Sequence, residues 1–522
     1  MLFNRWQKSL VKKLIKSERL ITALYAHFLG VLVALGFPPT GVWPLVWVAG
    51  IFVCRFFLEE SPQRKSKDYA VFFATFVFSV QLWGFYWIAY TLKEFGGLPW
   101  AASIPVVLTL FATLSLLAAF FGFLWGRYRL KIIPRYRFLG LAALLIVWES
   151  IDPRVFPWTF AQSVGSDPIL LSSAYYLGTI GWSFLILFFA IGGALILEIE
   201  NSRKRALYFV ILSALIFVPA YWAGSCAQKN LKAEFKERQP VALLQGNVGN
   251  FEKKLAKTGD TPTIENVLAI HRNLIETAAI FFQSEYDLAG REPWIIWPET
   301  SFPGSPLNNE RHAEFMKNFV LLTGGLHVVG TYEHGDVQLG GETQDVDFNI
   351  AALFHEKVGL VSRYRKRTRV PFGEYVPGER FYPWIYRKIP SLVHFGAGYE
   401  WDLLAHPDPK GPVFIPLICY EVLFPDLVDS FYKEALKLYP GREIILVNPT
   451  NDSWYGPTSE LFTHSLLARW SAVRRGIPLL RATNTGLSQV IAPWGEVLAT
   501  GPRNTEWVIL GELPVRKALL VK

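Results

Sequence analysis

Apolar residues run in long unbroken blocks through the first 224 positions and in short, interrupted ones afterwards. Seven blocks stand out in the first part, at 20–36, 43–58, 69–92, 100–126, 138–152, 172–198 and 206–224. Most reach the roughly 20 residues a helix needs to cross a bilayer core, the first, second and fifth being short. The turn GFPPTGVWP joins the first two and predicts a helical hairpin. Past Gly224 the pattern changes to strand, helix, strand. PVALLQGNV, PWIIWPET, LHVVGTYE, FNIAALF, VFIPLICYE and EIILVNPTND read as buried strands, and IPLLRATNTG and LSQVIAPWGEVLAT close the sheet. In TIENVLAIHRNLIETAAIFFQ the residues Val267, Ile270, Leu274 and Ala278 share one helical face, and SELFTHSLLARWSAVRRG reads as another helix. The chain is expected to divide into a multi-pass transmembrane domain of about seven helices, 1–226, and an α/β globular domain with helices on its sheet faces, 227–522.

Composition agrees with a division of this kind. The 522 residues are 51% hydrophobic, too apolar for an ordinary soluble enzyme and too charged to lie in a membrane throughout. The net charge of +9 is explained by where the bases fall. With the N-terminus in the cytoplasm, the inside segments hold 17 Lys and Arg, from Arg5 to Arg19, Arg64 to Lys67, Arg127 to Arg137 and Arg203 to Arg205. The outside loops hold Lys93 and Arg154. That bias orients the chain and, with seven crossings, puts everything after Gly224 outside the cytoplasm. The basic excess is a topology signal, so no nucleic-acid partner is expected. The basic N-terminal stretch is too long, and lacks a small-residue cleavage site, to be a cleavable signal peptide.

The candidate chemistry lies at strand ends in the second half. Glu299 follows the strand of WPET, Lys366 stands in YRKRTRVPFGEYVPGE with Glu374 eight residues on, and Cys419 ends LIC. A thiol nucleophile needs a base, here a carboxylate. It also needs positive charge or amide donors where an oxyanion forms. Each signal has a plain structural reading too: Cys419 as packing, Glu299 as a helix cap, Lys366 as part of a basic surface run. Their joint occurrence at strand ends of one domain favours chemistry. The three cysteines, Cys54, Cys226 and Cys419, make no disulfide framework. The nine histidines are scattered, with no HExxH or Cys/His cluster, and no phosphate-loop or dinucleotide motif is present. No metal or cofactor is implied.

The motifs WPETSFPG, YRKRTRVPFGEYVP, LICYEVLFPD, NPTNDSWYG and RATNTGLSQVIAPWGE resemble the Glu-Lys-Cys enzymes of the nitrilase superfamily, and more narrowly its membrane-embedded apolipoprotein N-acyltransferase branch. The resemblance runs from about Pro240 to Gly501. It implies an αββα sandwich on the outer face of the bacterial inner membrane and a ping-pong reaction. Glu299 is then the general base, Cys419 the nucleophile and Lys366 the oxyanion stabiliser. Glu374 and Glu421 orient Lys366 and assist proton transfer, and Tyr420 lies beside the nucleophile. The acyl donor is a phospholipid, preferably phosphatidylethanolamine. The acceptor is the α-amine of an apolipoprotein's diacylglyceryl-cysteine. Trp454 and Tyr455 either line the acyl channel or belong to the core. The segment Phe381 to Tyr399 either dips into the bilayer interface or packs on the domain. Two departures from the family are visible: Leu255 follows Lys254 where a Trp is usual, and ELPVRKALLVK is too short for a further span. Two other readings stay open, a membrane-anchored amidase of the same superfamily and a non-enzymatic transporter or assembly protein. Glu149 is one of the few acidic residues within an apolar block.

Overall fold

The computed structural model describes residues 18–94, 96–154, 156–249, 261–285, 288, 290–388 and 394–516. The chain separates into two compact units, one of residues 1–93 and 97–226, the other of 94–96 and 227–522.

The first unit is helical. Each of the seven apolar blocks forms helix: Glu18–Leu35, Pro44–Leu58, Ser66–Gly84 with Ile88–Glu94, Trp100–Leu114 with Leu116–Tyr128, Arg137–Ile151, Pro168–Leu197 and Ser202–Glu234. Four of the described helical spans are long and apolar enough to cross a membrane, and a fifth if the pair Ser66–Gly84 and Ile88–Glu94, bent by 52°, counts as one. Pro44–Leu58 and Arg137–Ile151 have 15 residues each. At about 1.5 Å per residue they fall short of a roughly 30 Å hydrocarbon layer. Glycines let the helices approach closely, as is common between membrane helices. A Cβ on Gly122 would lie 2.4 Å from the carbonyl oxygen of Tyr69, and one on Gly126 would lie 2.6 Å from Ser66 Cα. The Glu149 carboxylate accepts the backbone N–H of Phe160 at 3.3 Å, a local structural role.

Among the described residues the second unit has thirteen strands: β1 (Glu237–Gln245), β2 (Trp294–Ile296), β3 (Leu326–Leu339), β4 (Glu342–His355), β5 (Gly359–Arg365), β6 (Phe395–Gly396), β7 (Leu404–Ala405), β8 (Val413–Pro416), β9 (Ile444–Thr450), β10 (Leu479–Thr483), β11 (Gln489–Ile491), β12 (Val497–Thr500) and β13 (Trp507–Val515). They form two sheets. One has the order β13-β1-β2-β3-β4-β5, with β6 beside β4; the other runs β12-β11-β10-β9-β8-β7. The strands expected to close a single sheet thus close the second one. The first is closed by β13, which pairs antiparallel with β1 along nine residues from Glu237↔Val515 to Gln245↔Trp507.

Helices Thr261–Ile280 and Glu310–Thr323 cover the first sheet. Leu274, Ile275, Ala278, Met316, Phe319 and Val320 join Ala242, Leu244, Ile295, Trp297, Val329 and Ile350 in one apolar core. Helices Pro425–Leu438 and Glu460–Val473 serve the second sheet, with Val428, Phe431 and Ala435 buried on the former and twelve residues buried on the latter. Between the sheets, Trp294 meets Phe414 edge-on with ring centres 5.1 Å apart. This is the αββα sandwich. β3 and β4 run to 14 residues each, beyond the apolar stretches legible in the sequence. Near the turn they alternate half-buried and exposed positions, and Gly340 and Gly341, both at positive φ, supply the tight turn.

Candidate active site

The parallel strands of both sheets deliver their C-terminal ends to one place. Glu299 lies three residues after β2, Cys419 three after β8 and Asn451 directly after β9, while Lys366 follows antiparallel β5. Ligand sites in α/β sheets favour such strand ends because the loops leaving them are free to carry side chains. Strand β8 stops at Pro416, and Cys419 opens a 3₁₀ turn, Cys419–Leu423, with φ 56°. A non-glycine residue held in that region costs about 1–3 kcal/mol and persists only when its surroundings enforce it. Five described non-glycine residues have positive φ; Thr300 follows Glu299, Phe372 is two residues before Glu374, and Cys419 is a third. Strain therefore gathers where the candidate residues are.

The structure brings Glu299, Lys366 and Glu374 into direct contact. The Lys366 ammonium donates to Glu299 Oε1 at 3.0 Å and to Glu374 Oε1 at 2.8 Å. All three side chains are buried. Asn349 Nδ2 donates to the same Glu299 oxygen at 2.7 Å, and the backbone N–H of Asn451 donates to Oε2 at 3.0 Å. Glu374 is anchored through Oε2 by the Val370 N–H at 2.8 Å. Burial works against charge on Lys366, but Glu299 and Glu374 outweigh it and hold its pKa well above the ordinary lysine value. Cys419 is buried and shifted the other way from reactivity. Burial first, then the negative charge of Glu299, pushes the thiol well above its usual pKa, against the pull of Lys366. The shift favours the neutral thiol over the thiolate at this position.

Glu421 acts on Lys366 through its charge and is held by other partners. It makes no hydrogen bond to Lys366 among the described contacts. Its Oε1 accepts the Tyr364 hydroxyl at 2.9 Å and the N–H groups of Arg367 and Thr368 at 2.9 and 2.8 Å, and its Oε2 accepts the Ile418 N–H at 2.8 Å. It clasps the segment after Lys366 to the turn that carries Cys419. Burial raises its carboxyl to about 7, partly offset by Lys366 and by those donors. Tyr420 donates its hydroxyl to the Arg369 carbonyl at 2.8 Å, and its ring centre lies 6.0 Å from the Lys366 nitrogen. Tyr455 is buried, and burial, followed by the proximity of Cys419, holds its hydroxyl well above the ordinary phenol range. Trp454 is half-buried. The rings of Phe381, Tyr382, Trp384 and Tyr399 are exposed, as is Phe372. Residues 389–393 of that segment, and Lys254 with Leu255, lie outside the described residues.

The sequence reading missed the asparagines. Asn349, Asn448 and Asn451 are buried. Their signal was a polar residue inside or at the end of an apolar strand, which needs a partner when buried. Among the described residues, two groups have the spacing to hold a metal ion, Glu292 with His355 and His406, and Asp452 with Glu460 and His464. In the first, each imidazole Nδ1 accepts a backbone N–H, from Lys357 and Asp408, which leaves each Nε2–H to donate to Glu292. In the second, Arg481 already occupies both oxygens of Asp452, at 3.1 and 2.8 Å. Neither donor set fits a resident ion.

With this geometry in view, the comparisons with known proteins are informative. Residues 29–192 match the family model of the apolipoprotein N-acyltransferase N-terminal domain, and residues 241–518 match that of carbon-nitrogen hydrolases. An apolipoprotein N-acyltransferase of Bdellovibrio bacteriovorus is 30% identical over 92% of this chain and 86% of its own. One from Geobacter metallireducens is 28% identical over 94% and 89% respectively. A solved amidase from Nesterenkonia sp. AN1 aligns with 53% of this chain and 93% of its own, at 18% identity and a TM-score of 0.34. Matched along nearly its whole length by such relatives, and over more than half of it by the hydrolase family, the chain belongs to the apolipoprotein N-acyltransferase family and carries a carbon-nitrogen hydrolase domain.

Proposed function

We propose that this enzyme moves a fatty acyl chain from a phospholipid to the α-amine of a diacylglyceryl-cysteine at an apolipoprotein's N-terminus. The supporting observation is the buried Glu299–Lys366–Glu374 contact set beside a strained, protonated Cys419. Glu299 takes the thiol proton as Sγ attacks the ester carbonyl. Lys366, held cationic by its two carboxylates, stabilises the tetrahedral oxyanion. Collapse expels the lysophospholipid alkoxide, which takes the proton from Glu299, and leaves an acyl thioester on Cys419. The incoming amine attacks that thioester, Glu299 accepts its proton, and the thiol returns protonated. Glu374 keeps Lys366 aimed, and Glu421 and Tyr420 hold the loops that frame it.

Residues 1–226 form the membrane domain and 227–522 the catalytic domain, which faces the periplasm from the inner membrane; the bias of Lys and Arg supports this orientation. The exposed rings of Phe372, Phe381, Tyr382, Trp384 and Tyr399 favour a lipid-facing edge over internal packing. Phosphatidylethanolamine is the proposed donor. Intact-mass analysis of the purified protein incubated with it tests the reading. Wild type should gain one acyl chain and pass it to a diacylglyceryl peptide, and Cys419→Ala should gain none. Loss of the chain to water, with the peptide left unmodified, would assign a hydrolase instead.

A further inference from the structure

A buried guanidinium outside the contact set reaches both the nucleophile and the base. Arg481 lies on β10, fully buried, directly across from Asn448 in the parallel pairing of β10 with β9. One arm, Nη1, donates to Asn448 Oδ1. Asn448 Nδ2 in turn donates to the carbonyl oxygens of Leu417 at 2.5 Å and of Cys419 at 2.8 Å. The amide has only one possible orientation. Two carbonyls can only accept and a guanidinium can only donate, so Nδ2 must face the Cys419 turn and Oδ1 must face Arg481. The other arm, Nη2, grips Asp452, the residue after Asn451, whose N–H holds Glu299 Oε2 at 3.0 Å.

We infer that Arg481 is a positioning residue, which fixes the Cys419 turn through Asn448 and the Glu299 carboxylate through the Asp452–Asn451 segment. The arrangement explains how a positive φ survives at Cys419: the carbonyl that the strained turn exposes is the one Asn448 captures. It also explains why Asp452 is buried beside a glycine, since a Cβ on Gly486 would lie 2.0 Å from Asp452 Oδ2. The charged and titratable groups around this hub are Asp452, His464, Glu460, Glu299, Lys366 and Cys419 itself. The inference rests on Cys419 being the nucleophile.

Two variants test it in the full-length protein. Arg481→Lys keeps a cation against Asp452 but cannot span both partners. Asn448→Ala leaves the Arg481–Asp452 pair whole and releases only the nucleophile turn. Two readouts are taken: the rate of Cys419 alkylation by iodoacetamide against pH, followed on the Cys419 peptide, and the kinetics of acylation by phosphatidylethanolamine. Misplacing a reacting group by an ångström costs on the order of a hundredfold. Both variants should lose about that factor in kcat with KM unchanged, and the midpoint of the alkylation profile should move. A purely structural role would lower the melting temperature and leave both the profile and kcat as in wild type; that result overturns the inference. An altered alkylation profile in variants of a protein that phospholipid never acylates would keep the positioning role and reject the acyl donor.

Discussion

Lys366 sits between two carboxylates in a buried site, and that decides which substitutions are informative. Lys366→Ala leaves Glu299 and Glu374 buried without their cation, and breaking a buried pair in this way costs about 3–5 kcal/mol. Glu299→Gln removes one charge and keeps an oxygen for Asn349. Both should abolish thioester formation by intact mass, but Lys366→Ala should also melt well below wild type, whereas Glu299→Gln should stay near it. Glu421 makes a separate, pH-dependent prediction. Its carboxyl rises to about 7 in the fold, from an ordinary value of 4.5. The folded state therefore holds that proton more tightly than the unfolded chain. Stability from this group is full below about 4.5, falls as pH rises towards 7 and is flat above. The melting temperature of wild type relative to Glu421→Gln should decline across that window. A difference that grew with pH would show that the four donors around Glu421, and not its burial, set its charge.

At the scale of strands and turns, the active site depends on close backbone approach. Gly330 on β3 lies against the end of β2, where an added Cβ would come within 2.1 Å of the Pro298 carbonyl oxygen and 2.7 Å of Glu299 Cα. Gly330→Ala should displace Glu299, the proposed base, lowering the rate of Cys419 acylation by one to two orders of magnitude while donor affinity is kept. The periodicity of the chain made much of this level legible. Apolar strands ending in Glu299 and Cys419 stand out because burial on both faces demands continuous Val, Ile and Leu. Lys366 and Glu374 stand out by their spacing within one loop. Strand β13 was missed, because its burial is mixed and its meaning comes from pairing with β1, 262 residues away at the Gln245↔Trp507 end. The periodicity alone did not divide the strands between two sheets, because pairing partners are a tertiary property; the αββα sandwich came from the family resemblance. Arg481 and Asn448 were passed over within their apolar strands, and only their mutual register turns them into a hub.

The whole molecule combines a helical unit that fits a bilayer with an α/β unit that carries the thiol. If the proposed orientation is right, a membrane-impermeant maleimide applied to intact spheroplasts should label a cysteine introduced at Lys410, in the second unit. It should miss one introduced at Gln63, among the basic residues on the opposite side. Labelling of Gln63→Cys alone would invert the topology. Burial of Cys419 has a consequence for such a location. Peroxides and disulfides react with thiolates far faster than with thiols. On the proposed orientation, a buried cysteine whose surroundings favour the thiol over the thiolate should be oxidised slowly, a resistance that peroxide treatment of the folded protein would measure.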